Sequence, residues 1–552
     1  MDHSIGELSQ VGAAMSEIAL GENRRPSWLL ILSLLISPIV VATIISLFMH
    51  AMLFLILFLT PSVETAESQS TEKAMQAPPD ETPADLTITD VGDNIEVAPM
   101  IDTKDNTPPD VPEPPMEAEK AAENLPMNVT PPPGVGAANN APLAIDLSAT
   151  GSMASLAGSG GIYSPGGAGG RVGQAKQDLI KEQGGNPESE ACVALGLRWL
   201  AMHQANDGHW SINEFHKSAR TAPFPGGQVI QCDCQNRGNK NDDVAATGLA
   251  LLPFLGAGVT HKPPKEKVEV DYTKSVLAGL NYLIKRQNKE GSFSSTTYSH
   301  AIATMAMCEA FGLTNDPLLK QSAQRGLDNI FAIQDPANGG WRYTPRDAGD
   351  LSVTGWILMA IKSGQMAGLR VNTQRMKLME QFIDSCQDKK SKGSFFYTPT
   401  EPGNVLTMTS VGMLCKLYLG IRPVNADLQA GVEMLKKTGP GKTTDIYYLY
   451  YATQTMHHMG PVAGSWKFWN EGDDGSGRNG IRNYFVARQY GGPRSPAASK
   501  AHQKGSFFIG TSPGTISDNE GGRLMHTSLS LLSLEVYYRH LPLYRRELAG
   551  GN

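Results

Sequence analysis

The sequence is poor in cysteine, with six cysteines in 552 residues. A chain of this length with so few cysteines does not form a disulfide framework. Four of the six lie inside apolar helical patterns, where a cysteine is most simply a small buried hydrophobe. The pair Cys232 and Cys234, separated by a single aspartate, stands apart from the others. A small disulfide-stapled fold is therefore excluded, and one cysteine pair is left to explain.

Runs of lysine and arginine are also missing. The acidic charge is concentrated in residues 61–184, which hold 19 acidic and 6 basic side chains, whereas residues 185–552 carry a mild net charge of +8. Surfaces that bind nucleic acid carry clustered basic residues, and this region has none. We expect no nucleic-acid partner, and nothing in the composition calls for a cofactor.

A long uncharged stretch lies near the N-terminus. Residues 28–60 contain no Asp, Glu, Lys or Arg, and His50 is their only ionisable side chain. Such a stretch fits best in a lipid bilayer, and since it exceeds one span we place the membrane helix at about 39–59, after Pro38. A cleaved signal peptide is the alternative, but its apolar region would be shorter and closer to the N-terminus.

The flanking charges predict the orientation of this span. Arg24 and Arg25 precede it, and Glu64 and Glu67 follow it. The positive-inside rule then places residues 1–27 in the cytoplasm. We expect a single-pass protein of the cytoplasmic (inner) membrane, with its C-terminal domain on the extracytoplasmic, periplasmic side.

Residues 61–185 have the composition of a linker. They are rich in proline and acidic residues, end in a Gly/Ser-rich run from 149 to 173, and contain few aromatic side chains. Such a segment cannot bury enough apolar surface to offset the entropy of ordering. We predict a disordered acidic tether that holds the C-terminal domain away from the membrane.

One pattern recurs through residues 186–546. An amphipathic helix ends in glutamine, and a short turn, a glycine and an aromatic residue follow. The four copies end in the pairs Gln204 and Trp210, Gln287 and Phe293, Gln334 and Trp341, and Gln387 and Phe395. Glycine allows the tight turn, the aromatic ring covers the end of the hairpin, and glutamine can bond to backbone groups at a helix end. We interpret the motif as structural.

Each copy is followed by a helix that is apolar on nearly every side, as buried helices are. These helices are predicted at 243–257, 299–313, 351–363 and 406–419. Two degenerate hairpins complete the set, with helices near 427–437, 445–459, 481–490 and 526–540. Six hairpins with outer amphipathic and inner apolar helices predict an all-α fold, an (α/α)6 toroid in which the inner helices form a central barrel.

The repeated glutamine, glycine and aromatic residues resemble the QW-type repeat of squalene/hopene cyclases and the repeat of protein prenyltransferase β subunits. The resemblance covers about 187–545. It is closest to bacterial membrane-anchored proteins with prenyltransferase/squalene-oxidase repeats, in the stretches 245–258, 349–356 and 534–538. It implies the toroid fold and leaves the function open.

The resemblance to the cyclases implies a catalytic Asp-x-Asp-Asp motif, in which a buried carboxylic acid protonates an alkene. The matching run is Lys240, Asn241, Asp242 and Asp243. Lysine replaces the first aspartate, and its charge favours ionised carboxylates, which hold no proton to give to an alkene. Seven tryptophans are also few for a cavity that stabilises carbocations. A helix N-cap is the alternative role for Asp242 or Asp243.

The resemblance to the prenyltransferases implies a zinc site built from an Asp-x-Cys pair and a later histidine. Asp350 and His526 occupy the matching positions, but Ser352 replaces the cysteine. Asp350 is otherwise a helix cap, and His526 a polar residue at a helix start.

A second set of possible metal ligands lies in the insertion after the first repeat. It comprises His209, His216, Cys232 and Cys234. Thiolate and imidazole ligands suit a soft or borderline metal, but the spacing is irregular. A Cys232 to Cys234 disulfide and two free thiols are the alternatives.

Three functions remain open. The first is a toroid without the catalysis of either family, which binds a peptide, a lipid or an envelope polymer. The second is an isoprenoid-processing or terpenoid-processing enzyme that uses Asp242, Asp243, Asp350 and His526. It requires that several of these side chains reach one deep central cavity. The third is a carbohydrate-active enzyme with a pair of carboxylates at the starts of inner helices.

Overall fold

The computed structural model describes residues 171–264, 267–460, 464–472, 480–495, 501–510 and 516–540. The predicted membrane span and nearly all of the predicted linker lie outside these ranges. Among the described residues, no helix combines the length and the apolar character needed to cross a bilayer. The described residues all belong to the compact unit that comprises Pro132–Asn552.

Helices make up most of the described structure. In chain order they are α1 Gly173–Gln183, α2 Pro187–Met202, α3 Asp243–Gly256, α4 Thr273–Arg286, α5 Thr297–Thr314, α6 Pro317–Ala332, α7 Leu351–Met366, α8 Thr373–Ser385, α9 Val405–Tyr418, α10 Ala426–Thr438, α11 Ile446–Met459, α12 Ser465–Glu471, α13 Ile481–Val486, α14 Ile516–Glu520, α15 Gly522–Leu534 and α16 Val536–Arg539. The two short strands β1 Ala219–Arg220 and β2 Val229–Ile230 pair in antiparallel fashion in the insertion after the first motif.

Six helices form a closed ring. Helix α3 contacts α5, and the contacts continue through α7, α9, α11 and α15 back to α3. These are the apolar helices predicted from the sequence, and their residues are buried on almost every side. The amphipathic helices α2, α4, α6, α8 and α10 pack on the outside of the ring and bury one face each.

The motif glutamine joins each hairpin to the next. Gln204 Nε2 donates to the carbonyl of Gly208 in its own turn (2.7 Å) and to the carbonyl of Ser275 in the next outer helix (2.9 Å). Gln287 and Gln334 repeat this bridge at their own turns and at the next outer helices. The predicted bond between glutamine and orphan backbone groups is therefore present, and it also links neighbouring hairpins.

A fifth copy of the motif was missed in the sequence. Gln489 Nε2 donates to the carbonyl of Gly505 (2.9 Å) and to the carbonyl of Cys192 in α2 (2.7 Å). Phe507 takes the place of the aromatic residue, and its N–H donates to Thr527 at the start of α15 (2.9 Å). The last hairpin is thus joined to the first by the same device, which closes the ring.

The predicted linker extends too far along the chain. Residues 173–183, expected to be disordered, form α1, which packs against α16. Arg171 just before α1 is 1% exposed and pairs with Glu309 of α5 (3.0 Å), which also pairs with Arg539 (2.6 Å). Burial raises the pKa of Glu309, but the charges of Arg539 and Arg171 outweigh it and hold that pKa below its usual value. This buried ion triad ties the segment that leads into α1 to the inner helix α5.

Two further boundaries differ from prediction. The helix expected near 481–490 ends at Val486, and the one expected near 526–540 is divided into α15 and α16 at Glu535. Glu535 is buried, and burial raises its pKa well above the usual value. Both differences lie in the last hairpin, where the repeat pattern is degenerate.

Candidate functional site

A cavity of about 610 Å³ lies at the N-terminal end of the ring. Residues at or near the start of all six inner helices line it, so the N-termini of these helices lie at the same end of the ring. Its volume is within the range of ligand-binding cavities, about 300–1,000 Å³. The cavity is the place where the repeats bring chemically different side chains together, so it is the main candidate site.

Two carboxylates in the cavity wall cap inner helices. Asp242 accepts hydrogen bonds from the N–H of Ala245 (3.0 Å) and from the hydroxyl of Ser299. Asp445, at the start of α11, accepts from the N–H of Tyr447 (3.0 Å) and from the hydroxyl of Thr407 (2.9 Å). Both oxygens of each side chain thus accept a hydrogen bond, and one of these bonds in each case comes from the N-terminus of the helix that the residue caps.

The other charged residues of the Asp-x-Asp-Asp-like run, Lys240 and Asp243, do not add a second carboxylate to the cavity. Lys240 lines the cavity but pairs with Glu520 (3.2 Å), which also lines it. Asp243 is not among the lining residues, and its Oδ2 lies 3.8 Å from Nε2 of His209. The run therefore contributes one capping carboxylate and one ion pair to the cavity.

Four tyrosines supply most of the aromatic surface of the cavity. They are Tyr298, Tyr343, Tyr397 and Tyr447. Trp356 of α7 stands behind two of them, with ring centroids 5.8 Å from Tyr298 and 6.4 Å from Tyr447. Burial raises the pKa of Tyr298 and Tyr447, so both phenols remain neutral donors.

Asp350 lies beside the cavity without lining it. Its Oδ1 accepts from the N–H of Val353 (2.9 Å) and from the hydroxyl of Ser352 (2.7 Å), so it caps α7. The side chain is completely buried, and burial raises its pKa although both hydrogen bonds oppose this. Ser352 and Tyr397, its neighbours, do line the cavity.

His526 is buried near the start of α15. Its Nε2 lies 2.9 Å from Oδ1 of Asp518, and its Nδ1 accepts from the N–H of Ile509 (3.3 Å). Burial lowers the pKa of His526, while Asp518 acts in the opposite direction. Met525, the preceding residue, reaches the cavity in its place.

The zinc site implied by the prenyltransferase resemblance does not fit these residues. Oδ1 of Asp350 is occupied as the cap of α7, and Nε2 of His526 lies 2.9 Å from Oδ1 of Asp518 in the preceding helix. Among the described residues, the groups of three or more side chains placed to hold a metal do not include either of them. The structure thus brings Asp242 to the cavity, Asp350 beside it, and leaves Asp243 and His526 in separate environments.

The histidine that lies beside Cys232 and Cys234 is neither of the two that the sequence suggested, His209 and His216. Cys232 and Cys234 lie with His203, and the ligating atoms of the three residues are all within 4.8 Å of one another. His209 is bonded to Asp207 (2.5 Å), and Nε2 of His216 lies 2.9 Å from Arg237. The sequence signal that could have indicated His203 is its place in the repeat. It directly precedes the motif glutamine, and the other copies have Arg286, Ile333 and Cys386 at this position.

The tyrosines and Asp445 were also missed. Asp445 starts a helix in a degenerate hairpin that lacks the Gln motif, so no repeat pointed to it. The tyrosines belong to four different segments, and only the closed ring brings them into one wall. An acidic N-cap before an apolar helix was the one usable sequence signal.

No protein-family model matches the chain, and no curated protein matches it. Among solved structures, the type II terpene cyclase MstE from Scytonema matches with 11% identity over 65% of this chain and 98% of that one, at a TM-score of 0.38. An α-amylase from Clostridium perfringens matches with 11% identity over 63% of this chain and 97% of that one, at a TM-score of 0.39. An inactive variant of the α-1,6-mannanase GH76A of Salegentibacter sp. HEL1_6, in complex with α-1,6-mannotriose, matches with 9% identity. This match covers 64% of this chain and 98% of that one, at a TM-score of 0.39. These proteins have α/α toroid folds. A likeness this distant carries no argument about function.

Proposed function

We propose that this protein is a membrane-anchored (α/α)6 toroid whose central cavity binds a neutral, hydroxyl-rich chain of the cell envelope, a segment of polysaccharide. In this proposal the predicted span at 39–59 anchors the chain in the inner membrane, and the acidic tether carries the domain on the extracytoplasmic side. The observation that supports it is the lining of the cavity: tyrosine faces, hydroxyl groups and carboxylates that are held in place as helix caps.

The charge of the cavity argues against an anionic ligand. Among the described lining residues, the carboxylates of Asp242, Asp445 and Glu520 face a single cation, Lys240, which is already paired with Glu520. A diphosphate would be repelled by this excess of negative charge, because like charges in a cavity interact strongly. Prenyl diphosphates are therefore poor candidates, and uncharged ligands are favoured.

The polar and aromatic groups suit a carbohydrate. Tyrosine offers a flat apolar face on which a sugar ring can lie, with a hydroxyl group at its edge. Thr296, Thr443, Thr444 and Asn404 add hydroxyl and amide groups around the same space. Binding pockets combine such apolar walls with a few oriented polar groups.

The capping bonds favour binding over acid catalysis. A general acid must hold a proton near the substrate, whereas Asp242 and Asp445 accept hydrogen bonds at both oxygens. A carboxyl group whose two oxygens both accept hydrogen bonds is poorly placed to donate a proton to a ligand.

A terpenoid-processing enzyme is the second candidate, and one observation favours it. Asp350 is a completely buried carboxyl whose pKa is raised by burial, and Tyr397 beside it lines the cavity. A cyclase needs a protonated acid next to an apolar cavity. In this protein the acid would have to act through Ser352 or Tyr397, because Asp350 does not line the cavity.

Calorimetric titration of the full-length protein in lipid nanodiscs tests the proposal. The probes are maltohexaose and hexa-N-acetylchitohexaose as neutral sugars, and farnesyl diphosphate as the anionic isoprenoid. We expect one of the sugars to bind and farnesyl diphosphate not to. Thr444→Trp fills the cavity and should weaken sugar binding at least tenfold, whereas Thr373→Trp, on the exposed first turn of α8, should leave it unchanged.

Two results would overturn the proposal. One is tight binding of farnesyl diphosphate with no response to either sugar. The other is the same sugar affinity in wild type and in Thr444→Trp. Conversion of geranylgeranyl substrates to cyclic products that is lost in Asp350→Asn would establish the second candidate instead.

A further inference from the structure

A cluster of two thiols and one imidazole lies outside the ring, away from the residues that line the central cavity. His203 follows the last turn of the outer helix α2, and Cys232 and Cys234 follow β2 in the insertion between the first motif and α3. All three side chains are buried, with exposures of 0% for His203, 8% for Cys232 and 4% for Cys234. We propose that His203, Cys232 and Cys234 bind a zinc ion, with the fourth coordination position open to the adjacent cavity.

The distances match those between ligands on one tetrahedral zinc ion. Zinc binds sulfur at about 2.3 Å and imidazole nitrogen at about 2.0–2.1 Å, so in a tetrahedron the two ligand atoms lie about 3.6 Å apart. Nε2 of His203 is 3.6 Å from Sγ of Cys232 and 3.6 Å from Sγ of Cys234. One nitrogen equidistant from two sulfurs at this separation is the geometry that a shared metal requires.

The histidine is already oriented as a ligand. Nδ1 of His203 lies 2.8 Å from the carbonyl of Trp199, which fixes the proton on Nδ1 because a carbonyl can only accept. The lone pair of Nε2 then points towards the sulfurs. Metal-binding histidines characteristically donate their other ring N–H to a carbonyl or a carboxylate in this way.

The loop that carries the cysteines is held rigidly by the ring. Arg523, at the start of α15, donates from Nε to the carbonyl of Gln235 (2.8 Å) and from Nη2 to Oδ1 of Asn236 (2.9 Å). The N–H of Cys232 donates to the carbonyl of His216 (2.9 Å).

The donor set selects the metal. Two thiolates and an imidazole are the ligands of zinc, and two thiolate charges neutralise Zn²⁺. A cavity of about 440 Å³, lined by Cys232, Cys234, His216 and Arg237, gives access from the outside and room for a water molecule in the fourth position. Three protein ligands with an open position is the arrangement of reactive zinc, whereas structural zinc has four protein ligands.

Metal analysis of the full-length protein, purified without chelators under reducing conditions, tests the proposal. We expect about one zinc per chain in the wild type. His203→Gln and Cys234→Ser should lower the zinc content at least tenfold, and the matched control Cys386→Ser, at a buried cysteine in another hairpin, should retain it. Circular dichroism of each variant verifies that the helices remain folded.

A second measurement keeps the test decisive if a variant fails to fold. Replacement of zinc by Co²⁺ in the wild type should give the intense visible bands of a tetrahedral site and a sulfur-to-cobalt charge-transfer band. Wild-type protein that holds no zinc and takes up none on titration with Zn²⁺ would overturn the proposal. So would a Cys232 to Cys234 disulfide in protein isolated in parallel without reductant, detected as a mass two hydrogens lower, or zinc retained in both ligand variants.

Discussion

At the scale of single residues, the buried histidines link stability to pH. His300, His457 and His458 are almost completely inaccessible to solvent. Burial lowers their pKa values, to about 4 for His300 and to about 3 for His458. A folded-state pKa below the unfolded value means that the unfolded chain binds protons first. The stability contribution is complete above about pH 6.5 and is lost as the pH falls towards the folded-state pKa.

We expect the free energy of unfolding to decrease when the pH is lowered from ~7.5 to ~5. One pH unit corresponds to about 1.4 kcal/mol for each such group, so His458 alone accounts for about 2 kcal/mol. Urea titrations at both pH values measure the effect, and His458→Gln should reduce the difference by about that amount.

The control is Met456→Gln, which places an amide in the same buried helix and removes no imidazole. It should destabilise the protein at both pH values and keep the full pH difference. An unchanged pH difference in His458→Gln would show that this histidine is not the source.

At the scale of elements, the glutamine of the motif is expected to determine how firmly neighbouring hairpins hold together. Gln334 is 1% exposed and bridges the carbonyls of Gly339 (2.7 Å) and Arg375 (3.0 Å). Gln334→Met retains the volume and removes both bonds. Each lost bond to a buried carbonyl costs about 1–1.5 kcal/mol, so we expect a loss of about 2–3 kcal/mol in urea unfolding.

Gln174→Met serves as the control for this substitution. Gln174 lies on the exposed face of α1 and bonds only to Asp178 one turn away (2.8 Å). Its replacement should change the free energy of unfolding by less than about 0.5 kcal/mol. Equal effects of the two substitutions would contradict a joining role for the motif glutamine.

The elements also show what the sequence could predict. The inner helices were predictable because a helix surrounded by protein is apolar on every face, and the Gln motif fixed where each begins. The fifth motif was missed because residues 490–504 separate Gln489 from Gly505, whereas only three to five residues separate these positions in the four copies found. Helix α1 was missed because it has few apolar residues, and Leu179 and Ile180 gain their burial from the C-terminal helices.

The candidate site was less predictable than the fold. Asp242 was identified because its run resembles the cyclase motif, and the structure gives it the N-cap role that was the stated alternative. His203 and the cysteines are 29 and 31 residues apart, and nothing in the local pattern joins them. The tyrosines of the cavity depend on ring closure in the same way. Sites assembled from several repeats require the tertiary structure, and each of the four tyrosines in the cavity wall comes from a different repeat.

At the scale of the whole molecule, a close contact between Gly505 and α2 lies where the last hairpin meets the first. Gly505 has φ +93°, and a Cβ added there would overlap the carbonyl oxygen of Leu195 in α2. Gly368 also has a positive φ, +77°, but an added Cβ there would meet no atom within 4 Å. Alanine substitutions at the two glycines therefore separate two contributions to the free energy of unfolding: the strained backbone conformation, which both share, and the steric overlap, which only Gly505 has.

We expect Gly368→Ala to cost about 1 kcal/mol, the usual penalty for a side chain in the left-handed region. Gly505→Ala should cost about 2–4 kcal/mol, because steric overlap adds to the same conformational penalty. Urea unfolding measures both.

In the Gly505→Ala variant, the ring should also open more easily at the seam, the place where the last hairpin meets the first. Hydrogen exchange in α2 and α15, which are in contact there, should accelerate more than exchange in α7 on the opposite side of the ring. Uniform acceleration around the ring would mean that the seam has no special role, and equal costs for the two substitutions would mean that the contact between Gly505 and Leu195 does not hold the ring closed.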